Sequence, residues 1–317
     1  MGAGFERYRF DHLALPELDL AEVSTATVLF GRQLRAPLLV SCMTGGTEDA
    51  ARFNRLLAEV AQQQGLAMGL GSGRVLLEDP DAPGFDVRGL APDVPLLANL
   101  GAAQLNRGKG VDDCRRLLEL TRSDALVLHL NPLQEALQPE GEPRFRGLLN
   151  RIEQLCTSLE APVIVKEVGF GLSADVVRAL FDAGVTGVDV AGAGGTSWSE
   201  VERHRMAGTA ERIAFAFRGW GIPTAEALVA AREVAGGRLV IASGGIRDGM
   251  DAAIAIALGA DLAGLAGPFL RAAAEGKEAA ISFATELAEV IRVTMFCVGA
   301  KDLDTFHTAP RLVHRVR

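Results

Sequence analysis

The chain has 317 residues, 49% of them hydrophobic and 23% charged, with 36 glycines, so disorder and collagen are excluded and one large α/β barrel is allowed. Lys and Arg number 32 against 40 Asp and Glu, a net charge of -8. That balance repels a polyanion and excludes nucleic acid as a partner.

Short apolar runs recur in chain order: LLVSCM (38–43), LAMGLG (66–71), LLANLG (96–101), ALVLHL (125–130), VIVKEV (163–168), GVDVAG (187–192), LVIASG (239–244) and LAGLAG (262–267). Continuous apolar character without alternation fits strands buried on both faces of a parallel sheet. Between them, helical periodicity predicts helices over 48–64, 111–121, 144–159, 173–183, 224–235 and 248–258. Ser173 and Asp248 stand where N-caps belong, and Gly184 where a helix would end. Eight βα repeats predict a (β/α)8 TIM barrel in a single domain, with 1–35 as an N-terminal extension, 36–270 as the barrel and 271–317 as a C-terminal helical segment. The segment 194–220 is too long for a simple βα loop and is expected to cover the mouth of the sixth strand.

The cysteines (42, 114, 156, 297) form no CxxC pair and have no His at zinc spacing. They read as reduced thiols, those of Cys42 and Cys156 buried in apolar stretches. The opening MGAGFERYRFDH carries charge where a leader needs its apolar run, and no stretch reaches the ~18 apolar residues of a membrane span. The expected location is the cytoplasm, with no membrane partner.

Barrel sites are built at the C-terminal ends of the strands. There SGGIR (243–247) and AGP (266–268) place backbone N–H groups and a helix start where a phosphate can bind, with Arg247 as counter-charge. Lys166 interrupts a buried run, and an unpaired ammonium there is costly, so it needs a partner. Alternation sends it to the face opposite Glu167; an inward carboxylate on another strand or a cofactor ring with partial negative charge would satisfy it. After the fourth strand, HLNPLQE (129–135) puts His129 and Asn131 on one face. Gln134 and Glu135 follow, and one carboxylate with waters and a substrate diphosphate is an ordinary magnesium arrangement.

Together, ALPELDL (14–20), APLLVSCMTGG (36–46), GLGSGR (69–74), LHLNPLQE (128–135), PVIVKEVGFG (162–171), VDVAGAGGTSW (188–198) and SGGIRDGMDAAIAIALGAD (243–261) resemble the type 2, flavin-dependent isopentenyl diphosphate isomerases over essentially the whole chain. The resemblance implies interconversion of isopentenyl and dimethylallyl diphosphate in isoprenoid biosynthesis, with reduced FMN, Mg2+ and NADPH as reductant, in a tetramer or octamer. It implies that Met43, Thr44, Gly45, Ser72, Asn99, Lys166 and Thr196 hold the FMN ring and ribityl chain, and that Gly245, Arg247, Ala266 and Gly267 surround its phosphate. Ser72, Gly73, Arg74 and Gln134 match substrate contacts, His129, Asn131 and Gln134 the polar groups at the isoprenoid, and Glu135 the metal ligand. Ala191 stands where Ser is common, which removes one flavin hydrogen bond. Family members usually begin with a further segment holding an Arg-Lys pair and a His, and no Arg-Lys dipeptide precedes ALPELDL here. The expectation is a start lying further upstream, or weak diphosphate binding, or weak or lost isomerase activity. Two alternatives share the phosphate-loop logic: an FMN-binding barrel without catalysis, and a 2-hydroxy acid oxidase-like flavoenzyme.

Overall fold

A computed structural model describes residues 2–43, 45–141, 143–308 and, as backbone, 313–315. The eight apolar runs become the strands of a closed parallel barrel. Counting barrel strands alone, these are β1 (Leu38–Val40), β2 (Ala67–Ser72), β3 (Leu96–Gly101), β4 (Ala125–Leu130), β5 (Val163–Glu167), β6 (Gly187–Asp189), β7 (Leu239–Ser243) and β8 (Leu262–Leu265). Each pairs with its sequence neighbour, and β8 closes on β1 through Ala263↔Leu38, Gly264↔Leu39 and Leu265↔Val40.

Two apolar clusters follow from strand alternation. Leu39, Ala67, Leu97, Val127, Ile164, Ile241 and Leu262 fill the barrel interior together with Leu29 and Leu34. The last two belong to a hairpin, Thr27–Leu29 with Arg32–Leu34, which plugs the N-terminal end of the barrel. The larger cluster, with Leu38, Val40, Leu96, Leu126, Val163 and Val240, lies between strands and helices.

Local chemistry explains the helix ends. Thr47 accepts a hydrogen bond from Ala50 N (3.2 Å) ahead of Glu48–Gln64, and Gly65 closes that helix in the left-handed region. Asp248 accepts from Met250 N and Asp251 N ahead of Gly249–Ala257. Ser173 caps Ala174–Asp182; Gly184 takes the left-handed turn one residue beyond the Ala183 cap.

Several boundaries differ from the sequence reading. β6 stops at Asp189 although Val190 N and Gly192 N still bond to β7, because Ala191 turns left-handed (φ 37°). The expected helix from 144 begins at Leu148, after a left-handed Gly147. Asn106 ties down the residues before it, donating to Arg144 O (2.6 Å) and Arg146 O (3.3 Å). Helix Gly267–Glu275 runs across residue 270, and the C-terminal segment, after Lys277–Cys297 and Leu303–Thr308, ends in a strand. That strand, Val313–Arg315, pairs antiparallel with Tyr8–Phe10. The four cysteines are free; Cys114 is buried, while Cys42 and Cys156 are half-buried because one faces the cavity described below and the other a helix flank. No helix among the described residues is long and apolar enough to cross a membrane.

Candidate active site

Two positions beyond each inward apolar residue, the strands present one further inward layer: Ser41, Gly69, Asn99, His129, Lys166, Asp189, Ser243 and Gly264. It is polar or glycine throughout, and Ser41, Asn99, His129, Lys166, Ser243 and Gly264 of it form the floor of a cavity of about 910 Å3 at the C-terminal mouth of the barrel. That volume lies within the range of small-molecule sites.

Two hydrogen-bonded groups organise the floor. Lys166 Nζ donates to Asp189 Oδ2 and to Ser243 Oγ, both at 2.9 Å, and Ser243 Oγ donates to Asp189 Oδ1 at 2.7 Å. The expected partner is therefore an inward carboxylate on the neighbouring strand, β6. Glu167 points the other way and accepts three backbone N–H groups from Val168, Gly169 and Phe170, which fixes the turn that carries Val168 and Gly169 to the cavity wall. Burial nevertheless pushes its carboxyl up to about 7.

The second group pairs His129 Nδ1 with Asn99 Oδ1 at 2.8 Å. With that oxygen accepting, the imidazole proton sits on Nδ1. Burial first, and the Lys166 charge second, lower the His129 pKa to about 4. The imidazole is thus neutral at physiological pH. An NMR titration is expected to show a midpoint near 4, against 6.5 for an unfolded histidine. Between those values the unfolded chain binds more protons, so this residue's contribution to stability is present above about pH 6.5 and is lost as pH falls toward 4. A midpoint near 6.5 would show that the floor does not exclude water.

On the β7 and β8 side, Gly244 (φ 99°) and Gly245 (φ 77°) turn left-handed. A Cβ on Gly244 would collide with Gly192 O, and one on Gly245 would stand 2.5 Å from Gly194 C. Only glycine lets the β6 and β7 loops pack this closely. Thr224, fully buried, donates to Gly244 O, and Arg247 Nη2 reaches Gly194 O at 3.3 Å. Helix Gly267–Glu275 starts beside them, and its first-turn N–H groups have no intrahelical partner. This cradle has the character of a phosphate site.

Across the barrel, β4 leads through Asn131 into the short helix Pro132–Leu137. Asn131 donates to Gln134 Oε1 (3.2 Å) and Glu135 Oε1 (3.3 Å), and Arg107 donates to Glu135 Oε2 (3.2 Å). The long segment after β6 folds as helices Trp198–Arg203 and Gly208–Ala216. It reaches further than its own strand: Gln134 Nε2 donates to the buried Glu202 at 3.2 Å, joining this segment to the β4 helix.

Of the residues singled out in the sequence, Met43, Ser72, Arg74, Asn99, His129, Asn131, Gln134, Glu135, Lys166, Thr196, Gly245, Arg247, Ala266 and Gly267 all line this cavity, as does Ala191. Gly45 and Gly73 do not. Their absent side chains face Phe85 and Leu117, and the Gly73 N–H is committed to Asn99 O (2.7 Å). Thr44 lies outside the described residues. Arg107, Arg271, Ser41, Ser243 and Asp189 were not anticipated. Asp189, a carboxylate inside the apolar run GVDVAG, was the legible signal among them.

The floor fits a flavin ring in one specific respect: Ser41 Oγ is buried without a hydrogen-bond partner on a cavity-lining residue. Among the described residues no cluster of three or more metal-binding side chains occurs. A cation held by Glu135 alone would have to complete its shell with water and substrate oxygens. Burial pushes the Cys42 thiol up to about 11, which keeps it out of nucleophilic chemistry.

A family model of the FMN-dependent dehydrogenases matches residues 129–313. A protein of Stutzerimonas stutzeri (strain A1501) named isopentenyl-diphosphate delta-isomerase is 54% identical over 95% of this chain and 88% of its own length. A protein of the same name from a Synechococcus strain is 56% identical over 94% and 86%. Among solved structures, a mutant flavocytochrome b2 with pyruvate bound superposes with a TM-score of 0.71 at 19% identity, covering 99% of this chain and 77% of that one. A mandelate oxidase mutant with a monooxide FMN adduct gives 0.68 at 19%, covering 96% and 88%. At such identity these two share the barrel alone, whereas the isomerases share half their residues across nearly the full length, and the chain belongs to the type 2, FMN-dependent isopentenyl-diphosphate delta-isomerase family.

Proposed function

We propose that this protein interconverts isopentenyl and dimethylallyl diphosphate, using reduced FMN and Mg2+. The observation that carries the reading is a two-sided cavity: a glycine cradle with Arg247 on the β7–β8 side, and His129, Asn131, Gln134 and Glu135 on the β4 side. β4 and β8 stand four strands apart in a ring of eight, diametrically opposed. A phosphate-tethered ring entering from one side would leave the other for substrate.

Gly245, Arg247, Ala266 and Gly267 would hold the FMN phosphate, with Met43, Thr44, Asn99, Lys166 and Thr196 along the ring and ribityl chain. Bound and reduced, FMN would supply an electron-rich ring able to exchange a proton and to face positive charge. Arg74 and Arg107 would bind the diphosphate with Ser72 and Gln134, and Glu135 would hold Mg2+ against its oxygens.

The isomerisation is a 1,3-proton shift with no net redox change, and protonating the alkene puts positive charge on its tertiary carbon. The neutral imidazole of His129 adds no like charge there, and Asn131 and Gln134 offer only dipoles. The Gln134–Glu202 contact joins the segment after β6 to the β4 helix on that side, where excluding water would protect the cation. NADPH as reductant, a homo-oligomeric state and a cytoplasmic location complete the reading.

The test is turnover of isopentenyl diphosphate in deuterated water by protein loaded with FMN, reduced by dithionite and supplied with magnesium. Dimethylallyl diphosphate carrying deuterium is expected, and NADPH in place of dithionite should sustain it. FMN-loaded protein that converts nothing would leave a flavin-binding barrel without this activity.

A further inference from the structure

We propose that Asp189 is a positioning and charge-compensating residue of the flavin site, holding the Lys166 ammonium in place while cancelling part of its positive field. The inference rests on the FMN reading above. Lys166 lines the cavity and is 11% exposed at its side chain, whereas Asp189 stands behind it at 3%. Two of the three ammonium hydrogens are committed, one to Asp189 and one to Ser243. The carboxylate in turn accepts from Lys166, from Ser243 and from Ala191 N (3.2 Å). Held from behind by two partners, the ammonium keeps one N–H for whatever fills the cavity. Asp189, occupied on both oxygens, acts through Lys166.

The charge argument follows from the same geometry. The other titratable groups around Lys166 are His129, paired with it in register across β4 and β5, Cys42, and Glu167 on the opposite face of β5. His129 is neutral and Cys42 a thiol at physiological pH. Glu167 is turned away into its own ring of N–H donors. Asp189 is thus the anion that meets the ammonium directly. A lone ammonium beneath a flavin would favour the anionic reduced ring and withdraw its electron density. A carboxylate 2.9 Å behind the ammonium opposes that pull, so the reduced ring stays electron-rich, which proton exchange with an alkene requires.

The test is the reduction potential of bound FMN in Asp189→Asn, which removes the charge and keeps one oxygen, enough for Lys166, while its NH2 replaces the oxygen that accepts from Ser243. Relative to wild type, the preference for reduced over oxidised FMN should rise at least ten-fold, an upward shift of about 30 mV for a two-electron couple. Asp189→Glu should return the potential toward wild type, and kcat should fall in Asp189→Asn with KM little changed. If Asp189→Asn does not fold, the comparison is made between Lys166→Gln and Lys166→Gln/Asp189→Asn at saturating FMN, where removing the carboxylate should again raise the potential. An unchanged potential in the folded, FMN-loaded variants would overturn the proposal. A wild-type protein that binds no FMN would instead sink the flavin reading, and the proposal with it.

Discussion

Lys166→Met is expected to lose about 3–5 kcal/mol of folding stability, the range for removing one partner of a buried ion pair. The Asp189 side chain is 3% exposed and would be left with only Ser243 and Ala191 N as donors. The same change should weaken FMN binding ten-fold or more, because it removes the cation at the cavity floor. The two effects are separable. Lys166→Met/Asp189→Asn removes both charges and should recover most of the stability while FMN binding stays weak. Urea unfolding at constant m gives the first quantity and flavin titration the second. Equal stability of Lys166→Met and wild type would mean that water reaches Asp189 and that the floor is not a dry site.

Glu135→Gln is expected to raise the substrate and magnesium concentrations needed for turnover by about 10- to 150-fold, the equivalent of one charge-assisted interaction of about 1.5–3 kcal/mol. The amide keeps one oxygen, for Arg107, and loses the acceptor for Asn131, which still donates to Gln134 Oε1, so the short β4 helix should hold its place. FMN affinity should stay within two-fold by rough expectation, since the phosphate cradle lies across the barrel. An equal loss of both would assign Glu135 to holding the loop, and unchanged magnesium dependence would remove it from the metal site.

Much of this arrangement was legible in the sequence because the barrel repeats one physical unit. Each strand is buried on both faces and reads as a continuous apolar run, and three of the six expected helices, 48–64, 111–121 and 224–235, match the observed bounds residue for residue. Strand and helix ends were harder, since a single backbone turn decides them: Ala191 ends β6 and Gly147 delays a helix. The cavity-lining residues were legible where they sit at strand ends, as with His129, Asn131 and Arg247. The joint arrangement of Asp189 and Ser243 with Lys166 was not, although Asp189 stands out as a carboxylate in an apolar run, because it depends on the register of β5, β6 and β7, which places three side chains from distant segments within 2.9 Å of one another. Gly45 and Gly73 show the converse. Gly73 stands between the cavity-lining Ser72 and Arg74, yet close packing against Leu117 turns it toward the outer shell, as packing against Phe85 does for Gly45.

The closure of β8 on β1 and the pairing of Tyr8–Phe10 with Val313–Arg315 also govern how the chain is made. On a ribosome adding 5–20 residues per second, β1 has one open edge while residues 41–261 are synthesised, roughly 10–45 s. The strand Tyr8–Phe10 waits longer still, until Val313–Arg315 leaves the exit tunnel. During that interval an apolar strand, Leu38–Val40, is available to any other chain that offers a complementary edge. Nascent-chain crosslinking from residue 39 should therefore capture chaperones at lengths below 262 and lose them once Leu262–Leu265 has emerged and the ring can shut.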